Sequence, residues 1–216
     1  MNPATRFTVH PPCFYRCLYP DAMWLGPVNG TTDSKPVAYI TFDDGPNPDT
    51  TPRVLECLDR FNAKATFFMV GENVSRYPEL YKEITARGHS TGNHTMHHLQ
   101  GLRCDRSTFI DDIEQENAML RSPLFRPPHG LMKPSQYRLL KKRFKIVMFD
   151  IVTMDYSPRM SVNEILSNIE RFTRNGSIIV FHDSHKAWPR LEKALPETLA
   201  LLKNKNYELL PLPMDR

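Results

Sequence analysis

"VAYITFDDGPNPDTTPRVLECLDRF", Val37 to Phe61, decides the fold. It starts as an uninterrupted apolar run of β-branched and aromatic residues, which reads as a strand buried on both faces. The run breaks at Asp43-Asp44-Gly45-Pro46. It resumes with the apolar spacing of an amphipathic helix, and Pro52 sits in the first helical turn after Thr50 or Thr51. A buried strand, a polar loop and a helix make a βα unit, the building block of parallel sheets.

The unit recurs. Further strands are predicted at "ATFFMV" from Ala65, "KIVMF" from Lys145, "SIIVF" from Ser177 and "YELLPL" from Tyr207, with shorter ones at "HSTG" from His89 and "LFR" from Leu124. Helical periodicity fills "YPELYKEITARG" from Tyr77, "STFIDDIEQENAML" from Ser107, "KPSQYRLLKKRF" from Lys133, "SVNEILSNIERFTRNG" from Ser161 and "LEKALPETLALLKNK" from Leu191. Ser107 is placed to cap its helix, while Gly88 and Gly176 stand where helices should stop. About seven such units in one α/β domain over residues 36–216 suit a small or incomplete (β/α) barrel better than the ~250 residues of an eightfold one. Residues 1–35, rich in proline and aromatics, read as an N-terminal arm packed on that domain. A short helix is expected at Phe14–Met23 and a loop over Gly26–Pro36.

The net charge is only +4, and basic residues are scattered among acidic ones. The one basic run, "LLKKRFK" from Leu139, reads as a solvated helix end, so nucleic acid is not an expected partner. No stretch approaches the ~20 apolar residues of a membrane span. The first twenty residues lack the apolar core of a secretory signal, and the expectation is a cytoplasmic protein. Cys13, Cys17, Cys57 and Cys104 form no paired C-x2-C knuckles. Cys13 and Cys17 are near enough to bridge, but free thiols are the simpler reading.

In parallel α/β folds reactive residues gather where strands end. The polar groups that follow the apolar runs are "DDGP" at Asp43, "HTMHH" at His94, "RPPHG" at Arg126, "DIVTMDY" at Asp150 and "HDSH" at His182, all expected on one rim. Adjacent buried carboxylates are costly unless a cation neutralises them, although Asp43 and Asp44 could instead cap a turn. Neighbouring residues leave a strand in opposite directions, so one carboxylate could bind metal while the other acts as a base. His94 and His98 are four apart. One helical turn would aim both imidazoles the same way, a spacing that suits two ligands of a divalent metal.

Of the other residues in "GHSTGNHTMHH" (Gly88 to His98), His89 reads as structural, His97 as a rim residue, and Asn93 as fixing the loop. Arg126 could clamp a carboxylate, and an exposed N–H after the prolines could bind an oxyanion. His182 is placed to act as an acid or base, oriented by a carboxylate such as Asp155.

The order "TFDDGP", "HTMHH", "RPPHG", "DY" and "VFHD" resembles the polysaccharide deacetylases of the NodB-homology type, carbohydrate esterase family four. The resemblance runs from about Lys35 to the C-terminus. It implies a distorted, incomplete (β/α) barrel that removes acetyl groups from N-acetylated sugars such as those of chitin or peptidoglycan. It implies a divalent metal held by Asp44, His94 and His98, with zinc expected and cobalt or nickel as alternatives. Asp43 would be the base, held by Arg126. The His129 backbone N–H would bind the oxyanion, and His182, tuned by Asp155, would protonate the leaving amine. Tyr156, Pro127 and Val180 would bind substrate.

This chain departs from the family pattern in three places: His129 stands where Tyr or Phe is usual, Tyr156 where Trp is, and Val152 where Asp is. Candidate sugar-stacking aromatics are Tyr156, Trp188 and Phe149. Two other readings stay open: a metal-dependent amidase or imidase acting on a small non-sugar amide, and a carbohydrate-binding pseudoenzyme.

Overall fold

The computed structural model describes residues 9–28 and 35–215. The start of the predicted arm and positions 29–34 of its loop lie outside the described residues. Eight strands form one sheet in which every neighbour is parallel. In chain order they are β1 (Val37–Asp43), β2 (Ala65–Met69), β3 (Ser90–Asn93), β4 (Leu124–Phe125), β5 (Lys145–Ile146), β6 (Ile151–Val152), β7 (Ser177–His182) and β8 (Glu208–Leu209). The spatial order is β5-β4-β3-β2-β1-β7-β6, with β8 beside the start of β1. The sheet curls into an open half-barrel. The predicted incomplete barrel is what the chain forms.

Strand alternation explains how one strand serves both core and site. On β1, Ala38, Ile40 and Phe42 face the outer helices, where Phe42 stacks between Phe67 of β2 and Phe181 of β7 at 5.0 and 6.1 Å. The intervening Val37 and Tyr39 join Phe68 and Ile178 in the barrel interior. The same parity carries Thr41 and Asp43 inward at the C-terminal end, where both meet Arg126.

The α-helices with both ends among the described residues are α1 (Cys13–Arg16), α2 (Thr51–Arg60), α3 (Gly71–Arg76), α4 (Pro78–Ala86), α5 (Arg106–Leu120), α6 (Pro134–Leu140), α7 (Val162–Phe172) and α8 (Trp188–Asn204). None is long and apolar enough to cross a membrane. Among the described residues six strands lead into a helix, close to the expected count of about seven units, and β5 runs to β6 without one. The expected Phe14–Met23 helix shortens to α1, because Pro20 ends any continuation. The sequence reading did not foresee α3, a separate turn and a half before α4. The α5 cap is Asp105, whose carboxylate accepts the Thr108 N–H at 2.9 Å, while Ser107 donates to Asp105 instead of capping. Cys17, Cys57 and Cys104 are free thiols, and the Cys13 side chain lies outside what the structure describes.

The arm closes the gap between the two sheet edges. Met23 bridges Val147 just beyond β5, and Leu25 bridges Ser177 at the start of β7. Buried Asp150 ties the arm down by accepting from Arg16, Arg174 and Ser177.

Candidate active site

Both aspartates after β1 face one cavity, against the strand-alternation expectation. The reason is the backbone of Asp44, whose φ of 80° swings its side chain round to the side that Asp43 already faces. The histidine loop is also not a helical turn. Thr95 and His98 both take left-handed φ, 69° and 53°. The chain therefore doubles back and brings His98 beside His94, ring centroids 5.1 Å apart. The spacing of four was the right signal for the wrong local structure.

Asp44, His94 and His98 each turn one ligand atom toward a common point, all within 4.8 Å of one another. His98 Nε2 lies 3.3 Å from Asp44 Oδ1, and His94 Nε2 lies 3.9 Å from it. His94 Nδ1 sits 2.8 Å from the Arg126 carbonyl, which has only acceptor capacity. That contact places the ring proton on Nδ1 and leaves the Nε2 lone pair facing the cavity. Burial pushes His94 down to about 4, so the ring is a neutral donor across the neutral range. Burial alone would raise Asp44. The hydrogen bond with His98 and the positive fields of His182 and the other histidines outweigh it, leaving Asp44 below the usual carboxylate range. One carboxylate oxygen and two imidazole nitrogens on one open-mouthed point fit a divalent cation.

Around this point stand two ion pairs. Arg126, 1% exposed, donates from Nη1 to Asp43 Oδ1 at 2.6 Å and to the Thr41 hydroxyl at 2.8 Å, and from Nη2 to the Met148 carbonyl. Its guanidinium also lies 4.0 Å over the Phe68 ring. Asp43 Oδ2 is left facing the metal point, 3.9 Å from His94 Nε2. Opposite, Asp155 accepts both from His182 Nδ1 at 2.7 Å and from its backbone N–H at 2.9 Å. Burial would lower His182, but the adjacent Asp155 and the more distant Asp44 and Asp43 outweigh it and push the ring up to about 9.

The cavity is about 340 Å³, within the ~300–1,000 Å³ of small-ligand sites. Besides the residues above it is lined by His129, Gly130, Phe149, Val152, Tyr156, Val180, Ser184 and Lys186. Tyr156 sits edge-on to His182 at 4.7 Å and carries Lys186 over its other reach at 5.5 Å. The loop after β4 turns through a short 3-10 segment, Pro128–Gly130, with His129 and Gly130 both left-handed. Its hydrogen bonds run from Gly130 N–H to Pro127 and from Leu131 N–H to Pro128, leaving the His129 N–H outside them.

Two expected substrate residues are not where they were placed. Pro127 is buried and does not line the cavity, because the turn into the 3-10 segment rolls it beneath the wall. Trp188 opens α8 and packs on Arg53 at 5.2 Å in a different groove. His89 and Asn93 do the structural work expected of them. His89 Nδ1 accepts the Ala65 N–H, and Asn93 donates to Ile113 O and accepts from Thr95 N–H. His97 is a rim residue whose Nδ1 contacts Asp112 at 2.6 Å.

Sequence reasoning missed Glu116, fully buried on α5, which accepts the His94 N–H at 3.0 Å. It missed Lys186 and Ser184 as well. An acidic residue on an apolar helix face was the one available hint for Glu116.

Comparison with known proteins agrees with this geometry. The family model for polysaccharide deacetylase matches residues 30–146. The chain is 31% identical over 188 residues to a peptidoglycan-N-acetylglucosamine deacetylase of Bacillus cereus, covering 82% of this chain and 87% of that protein. It is 30% identical over 207 residues to a chitooligosaccharide deacetylase of a Bradyrhizobium species, covering 87% and 92%. Among solved structures, a peptidoglycan N-acetylglucosamine deacetylase crystallised with 4-naphthalen-1-yl-N-oxidanyl-benzamide superposes with a TM-score of 0.81 at 28% identity, over 89% of this chain and 94% of that one. The chain belongs to the polysaccharide deacetylase family, NodB-homology type, carbohydrate esterase family four.

Proposed function

We propose that this protein hydrolyses the N-acetyl group of N-acetylglucosamine units in a glycan, giving acetate and a free amine, with zinc held by Asp44, His94 and His98. The observation that carries the reading is the convergence of three ligand atoms with the Asp43–Arg126 and His182–Asp155 pairs on one cavity. The relatives named for deacetylation of peptidoglycan and chitooligosaccharides support the substrate class.

When bound, the cation polarises the acetyl carbonyl and makes a water acidic enough to attack near neutral pH. Asp43 takes the proton of the attacking water on Oδ2, since Arg126 occupies Oδ1 and fixes the carboxylate's orientation. The His129 N–H donates to the carbonyl oxygen as it gains charge, an interaction worth roughly 3 kcal/mol in comparable oxyanion sites. His182 delivers its proton from Nε2 to the departing nitrogen as the C–N bond breaks. Asp155 keeps Nδ1 protonated and the ring aimed. Tyr156, Val180 and Phe149 supply the apolar wall for the sugar.

The test is acetate release from N-acetylated chitooligosaccharides, from N-acetylated peptidoglycan fragments and from small non-sugar amides, using protein stripped of metal and reloaded with zinc. Turnover of the sugars restored by zinc is expected. Release from the small amides alone would instead make the protein an amidase of the same family, and sugar binding without acetate would make it a pseudoenzyme.

A further inference from the structure

We propose that the N-terminal arm is a working part of the active site and that Tyr15 is a positioning residue for the oxyanion-binding N–H of His129. The inference rests on the deacetylase reading above and assigns a role to a segment outside the barrel.

The wall that carries His129 runs from Arg126 to Met132, and it is held at three points. Arg126 anchors the near end through Asp43 and Thr41. The other two anchors come from the arm. Tyr15 donates its hydroxyl hydrogen to the Gly130 carbonyl at 2.9 Å, and Tyr19, buried, both accepts the Met132 N–H and donates to the Met132 carbonyl at 2.8 Å. Trp24 ties these together. Its Nε1–H donates to the Tyr19 carbonyl, its ring meets Tyr15 edge-on at 5.6 Å, and its other side meets Phe149 at 6.1 Å. Phe149 and Gly130 both face the cavity. A side chain at Gly130 would stand 2.9 Å from Phe149 and 3.6 Å from the Tyr15 hydroxyl, so the arm and the wall are in close contact here.

The loop needs such support. His129 holds φ of 59° and Gly130 φ of 69°, and a left-handed conformation is unfavourable for a residue with a Cβ by about 1–2 kcal/mol. The Gly130 carbonyl belongs to the peptide immediately after this pair. Fixing it with the Tyr15 hydroxyl limits rotation of the two preceding peptides, one of which bears the His129 N–H. The direction of that N–H matters only when the carbonyl oxygen gains charge. Tyr15 should therefore act on turnover more than on substrate binding.

The variant to make is Tyr15→Phe, which keeps the ring contacts with Trp24 and Tyr19 and removes only the hydroxyl. Phe14→Ala, at a 71% exposed position of the same arm, serves as control. Both are assayed, zinc-loaded, on N-acetylated chitotetraose and on its N-trifluoroacetyl analogue, whose electron-poor carbonyl depends less on a hydrogen-bonded oxyanion. The expected result for Tyr15→Phe is about a tenfold fall in kcat on the acetyl substrate, the size of one hydrogen bond, with KM unchanged and a clearly smaller fall on the trifluoroacetyl one. Phe14→Ala should match the wild type. A loss of active protein would lower both rates equally, so equal losses overturn the proposal, and so does an unchanged kcat. A wild-type protein that releases neither acyl group would instead overturn the deacetylase reading.

Discussion

Arg126 holds two members of the site at once: its Nη1 donates to Asp43 Oδ1 at 2.6 Å, and its backbone carbonyl receives His94 Nδ1–H at 2.8 Å. The end of one two-residue strand, β4, thereby sets the orientation of both the candidate base and a candidate metal ligand. The arginine is wholly enclosed, with Phe68 on its face and three carbonyl or hydroxyl oxygens on its edge. Burying a guanidinium is costly unless its donors are used, and here they are.

Replacing Arg126 should therefore damage stability and turnover together. Arg126→Gln leaves Asp43 buried beside an uncharged partner, a change of a kind that costs about 3–5 kcal/mol in buried pairs. Arg126→Lys keeps the charge but cannot reach Asp43, Thr41 and Met148 together, so kcat should drop at least tenfold with a milder loss of Tm. Thermal unfolding alongside acetate release checks both. Wild-type kcat in Arg126→Lys would show that the planar fork is not needed.

The two neighbouring aspartates should separate cleanly. Asp44→Ala removes the only anionic donor of the triad, and zinc retention and activity should vanish together. Asp43→Asn keeps the triad and should hold about one zinc per chain while turnover falls by roughly 10²-fold or more. Elemental analysis of dialysed protein alongside the rate distinguishes them. A metal-loaded Asp43→Asn protein with near-normal turnover would remove Asp43 from the role of base.

His182 carries a pH prediction with a definite sign. Its ring is pushed up to about 9 in the folded protein, chiefly by Asp155, against an ordinary value near 6.5. The folded state holds this proton more tightly. The stability it contributes is complete below about pH 6.5 and is lost as pH rises through 9. As the acid for the leaving amine, His182 must be protonated, so turnover should fall on the alkaline side. A bound dication lowers that limb from 9. Asp155→Asn removes the main cause of the upward shift, and the alkaline limb should move down by about a pH unit or more while kcat falls. An unmoved limb in the pH–rate profile of Asp155→Asn would assign it to another group.

Much of this was legible before any coordinates. Buried runs and helical periodicity are local properties, and β1, β2 and β7 extend over nearly the spans expected from them. Four of the five polar strand ends share one rim because parallel strands all finish on the same side. Asp150 instead precedes β6 and bonds Ser177 at the start of β7, and of its segment Asp155 and Tyr156 reach the rim. What the chain hid was set by backbone dihedrals and by distant packing. Nothing at Asp44 or His98 announces a left-handed φ, so strand parity misplaced one carboxylate and a helical turn was read where a tight loop stands. β4, β5, β6 and β8 shorten to two residues because their neighbours curve away as the barrel fails to close. Tyr15 lies 115 residues from Gly130, a separation at which no periodicity speaks.

Glu116 offers the last prediction. It is fully buried beneath the histidine loop, where its Oε2 accepts the His94 N–H at 3.0 Å and, among the described residues, its Oε1 meets no hydrogen-bond partner. Burial, with a smaller contribution from nearby Asp112, holds its carboxyl well above the ordinary range. The folded state therefore favours the protonated form, and the stability linked to Glu116 declines as pH rises from about 4.5 toward the folded value. A neutral isostere should then serve as well as the acid. Glu116→Gln should hold or raise Tm at pH 8 and keep zinc affinity, whereas Glu116→Ala, which opens a buried cavity and leaves the His94 N–H with only its bond to the Met69 carbonyl, should cost about 2–4 kcal/mol. The alanine variant should also bind zinc roughly tenfold more weakly in a chelator competition, as loss of ligand-orienting contacts does elsewhere. If Glu116→Gln proves as damaging as Glu116→Ala, the buried group acts through its negative charge, and its work is electrostatic support of the cation instead of a scaffold for the loop.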